Sequence, residues 1–438
     1  MTLKNLLLGS VTAAGLMTGA ACAADLGVLS SVDVCDQLGI TGLTISSDTN
    51  CLKVSGEVSY SFSYGVWDTA DGDSDSGAFY LPAGDLSWGY EVNWHDEFHG
   101  EGAHVLDTVA KAKLNFEATA DSSFGPAKAV LKLLSEDIGN GGGDVTVDEA
   151  YVSIGEGTVV MAGHKGSIFN YGDDVPLNWL GLFNSEAVNT GVLADNWSNT
   201  GTSNSIQITH DLGNGFSISG GLEQLENNGI AVGVLAYKSE TVSAHISTSV
   251  ADILEGSDQG YWYTHAGIAA TLDSVKLVAA ASTDANSNWN VLGSAELSLD
   301  MFKIAGSVEA DNDDYVGAGG SLTASLEDGV TLNLGGRFGT YQGDTAYELA
   351  AGAESKLAET LTLSGQVGYV FDGGYDHEDD PEGPTSSLVY GWVKLAWAPG
   401  GGFTSSIKGT VTNFLTDEYE YVKGPGFKVE TEFKKTFE

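Results

Sequence analysis

The stretch 52–64 alternates between apolar and polar side chains. Its odd positions carry one lysine, one glutamate and four serines, and its even positions are all apolar or glycine: Leu52, Val54, Gly56, Val58, Tyr60, Phe62 and Tyr64. A period of two residues is that of a β-strand with one apolar face. Such a face must be covered by a protein core or, in a barrel that crosses a membrane, by lipid.

The same alternation returns along the rest of the chain. We count twenty such segments of roughly ten residues, the first at 51–65 and the last at 426–437. Short turns such as 211–215 are interspersed with long loops at 66–104, 171–202 and 372–385. Short turns on one rim and long loops on the other are typical of outer-membrane barrels. The predicted fold is therefore all-β, a transmembrane antiparallel β-barrel.

The composition excludes several other classes of protein. Sixty acidic residues face eighteen basic ones, for a net charge of -42, which would repel the phosphates of a nucleic-acid partner. Nine Trp, 17 Tyr and 16 Phe are too many aromatic residues for a disordered acidic chain. Beyond the N-terminus no apolar run reaches the length of about 18 residues that a spanning helix needs.

The N-terminal residues have the pattern of a secretory signal. Lys4 precedes an apolar stretch at 6–16, and a small-x-small motif follows at 21–23. We therefore expect a signal peptide at 1–23 and a single barrel domain at 24–438.

Two cysteines, Cys35 and Cys51, follow the predicted signal peptide. An even number of cysteines in an exported protein predicts a disulfide between them. Two buried free thiols are the alternative that the sequence leaves open.

Several motifs are similar to those of the alphaproteobacterial porin family. They lie at 34–36 with 48–56, at 147–152, at 208–217 and at 394–399. The resemblance implies a trimeric general-diffusion channel of the bacterial outer membrane, with sixteen strands and a third loop folded into the lumen. The sixteen strands conflict with our count of up to twenty. A substrate-selective channel, a barrel enzyme and a surface adhesin are the alternatives.

The segment that matches the inward loop is acidic. It contains no Lys or Arg between residues 171 and 202, and it carries Asp173, Asp174, Glu186 and Asp195. Uncompensated carboxylates at a constriction concentrate cations and repel anions. We therefore predict a passive channel for small hydrophilic solutes that favours cations.

Five lysines are predicted on the opposite pore wall. Alternation puts them on the polar faces of the second, third and fifth strands: Lys111 and Lys113, Lys128 and Lys132, and Lys165. Facing the acidic loop, they would create a field across the lumen. The alternative is that these lysines extend to the membrane rim.

No enzyme, cofactor or specific metal site is predicted. Eight histidines show no catalytic or metal-binding spacing, although an inward His210 or His265 beside a serine would favour an enzyme. Acidic loops at 71–75 and 376–382 could bind calcium or magnesium loosely, or bridge to lipopolysaccharide. The amphipathic last strand with Phe437 resembles the signal that the barrel assembly machinery reads in outer-membrane proteins. The predicted partners are thus that machinery, lipopolysaccharide, outer-membrane lipid and two further copies of the chain.

Overall fold

The computed structural model describes residues 34–67, 103–136, 138, 144–169, 175–183, 201–254, 261–312, 314–326, 329–341, 344–372, 386–417 and 425–438. The described residues form one short helix and a series of strands. In chain order these are α1 (Val34–Gln37), β1 (Thr44–Ser46), β2 (Cys51–Trp67), β3 (Ala103–Ala120), β4 (Ala127–Ser135), β5 (Thr146–Gly155), β6 (Thr158–Gly166), β7 (Thr202–Gly213), β8 (Phe216–Glu223), β9 (Ile230–Lys238), β10 (Val242–Val250), β11 (Trp262–Leu272), β12 (Val275–Asp284), β13 (Trp289–Leu299), β14 (Phe302–Asp311), β15 (Val316–Ser325), β16 (Val330–Tyr341), β17 (Asp344–Ala358), β18 (Leu361–Asp372), β19 (Ser386–Gly400), β20 (Phe403–Asp417) and β21 (Pro425–Phe437).

The strands from β2 to β21 close into a barrel. Each pairs antiparallel with the strands before and after it in the chain, and β21 returns to pair with β2 from Gly56↔Phe437 to Val66↔Phe427. Closure leaves no free sheet edge along this register. The barrel has twenty strands, as the alternation in the sequence predicts. The sixteen strands implied by the family resemblance are too few, because every segment of the alternating middle region forms its own strand.

The two faces of the wall differ as the alternation requires. Leu349 and Val367, on neighbouring strands, expose 60% and 61% of their area on the outside of the barrel. Next to Leu349 on the same strand, Glu348 points inward and is only 2% exposed. In β2 the predicted apolar face is also outermost, with Val58 and Tyr60 exposed. The outer surface is thus an apolar band, and the polar half of each strand lines the interior.

The N-terminal residues extend the barrel at one rim. The short strand β1 pairs with β2 at Ser46↔Cys51, where β21 has already ended. The predicted disulfide is present, because Cys35 in α1 is bonded to Cys51 at the start of β2. Both cysteines are fully buried, so the crosslink holds α1 and β1 against the rim.

Short turns on one rim have left-handed backbone residues. Between β7 and β8, Gly213, Asn214 and Gly215 have φ of 81°, 54° and 85°. Glycine and asparagine tolerate this conformation, so the turn can be tight. In the described part of the chain no helix is both long and apolar enough to cross a membrane.

Candidate pore constriction

A segment between β6 and β7, residues 175–183, lies inside the barrel. Leu182 is 0% and Phe183 3% exposed. Leu182 packs on Val278 and Leu292, which point inward from β12 and β13. We call residues 175–183 the inward segment. Its position agrees with the predicted inward folding of the third loop.

Hydroxyl groups of the wall bind the backbone of the inward segment. The Leu177 N–H donates to Ser294 Oγ at 2.9 Å, and the Trp179 N–H donates to Ser321 Oγ at 3.0 Å. Within the segment, Asn178 Nδ2 donates to the Gly181 carbonyl at 2.7 Å. Buried polar groups of an irregular segment need such partners, because water does not reach them. The serines on β13 and β15 therefore fix the position of the segment along the wall.

Arg337 on β16 fastens the end of the inward segment. Its Nη1 donates to the Leu182 carbonyl at 3.2 Å, and its guanidinium lies 4.3 Å from the centre of the Phe183 ring. Its Nε donates to Glu348 Oε2 at 2.8 Å, and both side chains are almost fully buried. Tyr390 OH donates to the other oxygen of Glu348 at 2.5 Å. The ion pair is therefore hydrogen-bonded on both sides, as a buried pair must be.

Glycines on the inner face make room for the inward segment. A Cβ at Gly319 would lie 2.5 Å from Asn178 Nδ2, and one at Gly335 or Gly352 would lie 3.0 or 2.8 Å from the Trp179 ring. These three glycines occupy inward positions on consecutive strands, β15, β16 and β17. Wall and segment thus approach each other more closely than any side chain would allow.

A second anchor holds the chain just after β6. Phe169 is buried against Val232 and Val234 of β9, with its ring centre 5.3 Å from that of Tyr263. The Ile168 N–H donates to Glu223 Oε1 at 3.0 Å. The chain that connects β6 to β7 is thus attached to the wall first near β9 and then from β12 to β17.

Strand order places the predicted lysines across the barrel from the inward segment. Lys111 and Lys113 belong to β3, Lys128 and Lys132 to β4, and Lys165 to β6. In a closed barrel of twenty strands, β3 and β6 lie half the circumference from β13 and β16. Those two strands carry Ser294 and Arg337, which bind the segment. The predicted acids Asp173, Asp174, Glu186 and Asp195 lie outside the described residues.

Most of these lysines are ion-paired. Three have a carboxylate oxygen close to Nζ: Lys128 with Glu117 at 2.7 Å, Lys132 with Glu149 at 2.6 Å, and Lys111 with Glu136 at 3.7 Å. Lys165 lies over the Tyr151 ring, 4.4 Å from its centre. The wall is therefore a mosaic of both charges, and its lysines contribute less net field than the sequence pattern suggests.

Of the two histidines singled out in the sequence, His265 faces inward beside serines and His210 does not. His265 faces inward, opposite Ser247 and Ser282 in register, and its Nδ1 lies 2.8 Å from His245 Nε2. Its ring is only 3% exposed, so solutes in the lumen do not reach it. His210 is on the exposed outer face, where Nδ1 shares a hydrogen bond of 2.6 Å with Thr158 Oγ1.

No metal site is found in the described part of the chain, where no three His, Cys, Asp or Glu side chains are grouped to hold an ion. The acidic loops at 71–75 and 376–382 lie outside the described residues.

Sequence reasoning missed Arg337, Ser294, Ser321 and the glycines. Arg337 is the single arginine in the chain, and this was the available signal. Its role depends on strand register, which brings it opposite Glu348.

Substituting Gly319 should displace the inward segment. A valine at this position would overlap Asn178, and overpacking of this kind costs about 1–3 kcal/mol. We expect Gly319→Val to widen the lumen and raise single-channel conductance in a planar bilayer. The matched control is Gly320→Val, because an added Cβ there has no atom closer than 3.7 Å. Equal conductance in the two variants would contradict a close contact between Gly319 and the inward segment.

Removing Arg337 should release the end of the inward segment. Arg337→Met alone leaves Glu348 buried without its ion-pair partner, which costs about 3–5 kcal/mol. Arg337→Met with Glu348→Met removes the unpaired charge, so denaturant unfolding should show stability close to that of the wild type. We expect higher conductance from both variants. Wild-type conductance in the double variant would show that Arg337 only neutralises Glu348.

The chain is similar to several solved structures of outer-membrane proteins. One of them is OpdQ of Pseudomonas aeruginosa, at 8% identity and a TM-score of 0.47, covering 88% of this chain and 98% of that one. They also include the outer membrane channel DcaP of Acinetobacter baumannii, at 13% identity and a TM-score of 0.38, covering 91% and 100%. A third is the anion-selective porin of Comamonas acidovorans, at 12% identity and a TM-score of 0.38, covering 89% and 100%. No curated protein sequence matches the chain.

The decisive comparison is with a family profile. Residues 28–432 match the profile described as the porin subfamily. The match spans nearly all of the barrel, including β2 at its start and most of β21 at its end. The chain therefore belongs to the porin subfamily and is a channel protein of the bacterial outer membrane.

Proposed function

We propose that this porin is a passive diffusion channel for small hydrophilic solutes and ions, and that it favours cations. The observation that carries the proposal is a difference in exposure between two parts of the inner wall. The side chains of Lys111 and Lys128 are 46% and 43% exposed, whereas that of Arg337, beneath the inward segment, is 3% exposed. Water therefore has access to the lysine-bearing wall, while the inward segment covers the wall opposite.

Three observations support the preference for cations. The chain has 60 acidic and 18 basic residues. Several wall lysines are neutralised by neighbouring glutamates, such as Lys132 by Glu149. The sequence from 171 to 202 adds acids without a single base. Acidic residues near a pore wall whose own charges almost cancel raise the local concentration of cations.

The partners of the channel are proposed from the family resemblance and the surface. The exposed apolar band suits membrane lipid, and the acidic loops at 71–75 and 376–382 would bridge divalent cations to lipopolysaccharide. The last strand, which ends at Phe437, would be recognised by the barrel assembly machinery. We propose a homotrimer, which would give current steps in groups of three.

The preference for cations can be measured from the reversal potential in a KCl gradient across a planar bilayer. We expect a value displaced toward the potassium equilibrium potential. Asp173→Asn with Asp174→Asn should reduce the permeability ratio by a factor of about two to five per charge, as for unit charges a few Å apart in water.

The control for this experiment is Asp273→Asn with Asp300→Asn, which removes equal charge from two short turns. Both positions have left-handed backbone that asparagine tolerates, with φ of 50° and 48°. A chloride preference in the wild type would refute the proposal. An equal loss of cation preference in both variants would show that Asp173 and Asp174 do not line the constriction.

A further inference from the structure

Two buried histidines form a hydrogen-bonded pair on the inner wall. His245 on β10 and His265 on β11 place Nε2 and Nδ1 2.8 Å apart. The two rings are stacked, with their centres 4.9 Å apart and 27° between their planes. They are only 5% and 3% exposed, so a positive charge on either ring is poorly hydrated.

The hydrogen bond between the two imidazoles limits the number of protons that the pair can hold. One of the two nitrogens must donate and the other must accept, and an imidazole nitrogen accepts only when it carries no proton. When both rings are protonated, all of their nitrogens are donors and this hydrogen bond is lost. Two positive charges then lie close together away from water, which favours an arrangement in which the rings separate and become hydrated.

The chain that leads into the inward segment packs over this pair. Phe169 is 2% exposed, and its ring centre lies 6.2 Å from that of His265 and 5.3 Å from that of Tyr263. Ala236 of β9, which is opposite His245 in register, belongs to the same buried cluster. The pair is therefore part of the wall surface that holds Phe169.

Other titratable groups face the pair from the elements packed around it. In the described part of the chain they lie within two register positions of the pair or beside Phe169, and they are Lys238 of β9, Tyr263 of β11, Asp284 of β12 and Glu223 of β8. The carboxylate of Asp284 accepts the backbone N–H groups of residues 286 and 288 in its own turn. That of Glu223 accepts the Ile168 N–H, so its titration has to be separated from that of the pair.

From this geometry we infer that the pair of His245 and His265 is a pH-sensitive switch that controls the attachment of Phe169 to the wall. The attached state, with the hydrogen bond intact, binds fewer protons than the detached state, so a lower pH favours detachment. The released chain then moves from the wall into the lumen and narrows the path of solutes. Histidine ordinarily changes charge between about pH 5 and 8, which sets the interval in which the switch acts. The effect on conduction rests on the proposed diffusion channel, but not on its preference for cations.

Attachment of Phe169 can be measured without conduction, by fluorine NMR of the full chain in lipid nanodiscs with a fluorinated phenylalanine at position 169. Spectra are recorded between about pH 7.5 and about pH 5.5, where histidine titrates and an ordinary carboxylate does not. We expect the signal of the wild type to move toward that of a solvent-exposed ring as the pH falls. His245→Gln with His265→Gln should remove this shift, because glutamine stays neutral. His245→Gln alone should also remove it, since a single protonated imidazole can still donate to the glutamine oxygen.

Two control variants separate the pair from other titratable groups. His210→Gln removes an exposed histidine of the outer face, and Glu223→Gln removes the carboxylate that accepts the Ile168 N–H. Both controls should keep the pH-dependent shift. A wild-type signal that does not move, a shift that persists without the two histidines, or a shift that is lost in either control would overturn the inference.

The consequence for conduction can be recorded in a planar bilayer at about 1 M KCl, where the charges of the wall are largely screened. We expect wild-type channels to show closures at about pH 5.5 that are absent at about pH 7.5, and the variant without both histidines to show none at either pH. A higher current at the lower pH would contradict release of the chain into the lumen. Absence of current at both pH values would refute the proposed function and leave the NMR result intact.

Discussion

The return of β21 to β2 is the constraint on which the rest of the structure depends. In lipid, every backbone N–H and C=O group must have a partner within the protein, so a sheet that crosses a membrane has to close. Here the register from Gly56↔Phe437 to Val66↔Phe427 completes the ring. Where β21 ends, β1 takes over pairing with β2, held by the disulfide between Cys35 and Cys51. Closure also turns every polar face inward, which creates the lumen.

A ring of twenty strands encloses more space than side chains alone can fill, and the inward segment occupies part of it. Attachment of this segment is local and polar. Ser294 and Ser321 accept its backbone N–H groups, and Arg337 binds its last described turn through Leu182 and Phe183. A buried ion pair such as Arg337–Glu348 contributes little to net stability, but it defines one position for the segment. The glycines beneath the segment allow that position to be close to the wall.

The strands could be predicted from the sequence because each carries its own signal. Alternation identifies β2 within two residues of its observed end, and it assigns Lys128 and Lys132 to one inward face. The ion pairs could not be predicted, since Lys128 meets Glu117 only through the register of β3 and β4. The role of Arg337 was hidden for the same reason, because its partners lie 11 and 155 positions away along the chain. Glycines such as Gly319 have a low propensity for β-strands. The reason for a glycine at this position is the close approach of the inward segment, which the sequence does not reveal.

The inner face of the barrel wall is wet and its outer face meets lipid, and one pair of cysteine variants in β2 tests this arrangement. Ser59 points inward next to Lys111, and Val58 points outward and is 53% exposed. In a planar bilayer, a charged water-soluble thiol reagent should modify Ser59→Cys and lower its single-channel current. Val58→Cys should neither react nor change its current. Modification of Val58→Cys with no reaction at Ser59→Cys would contradict the account.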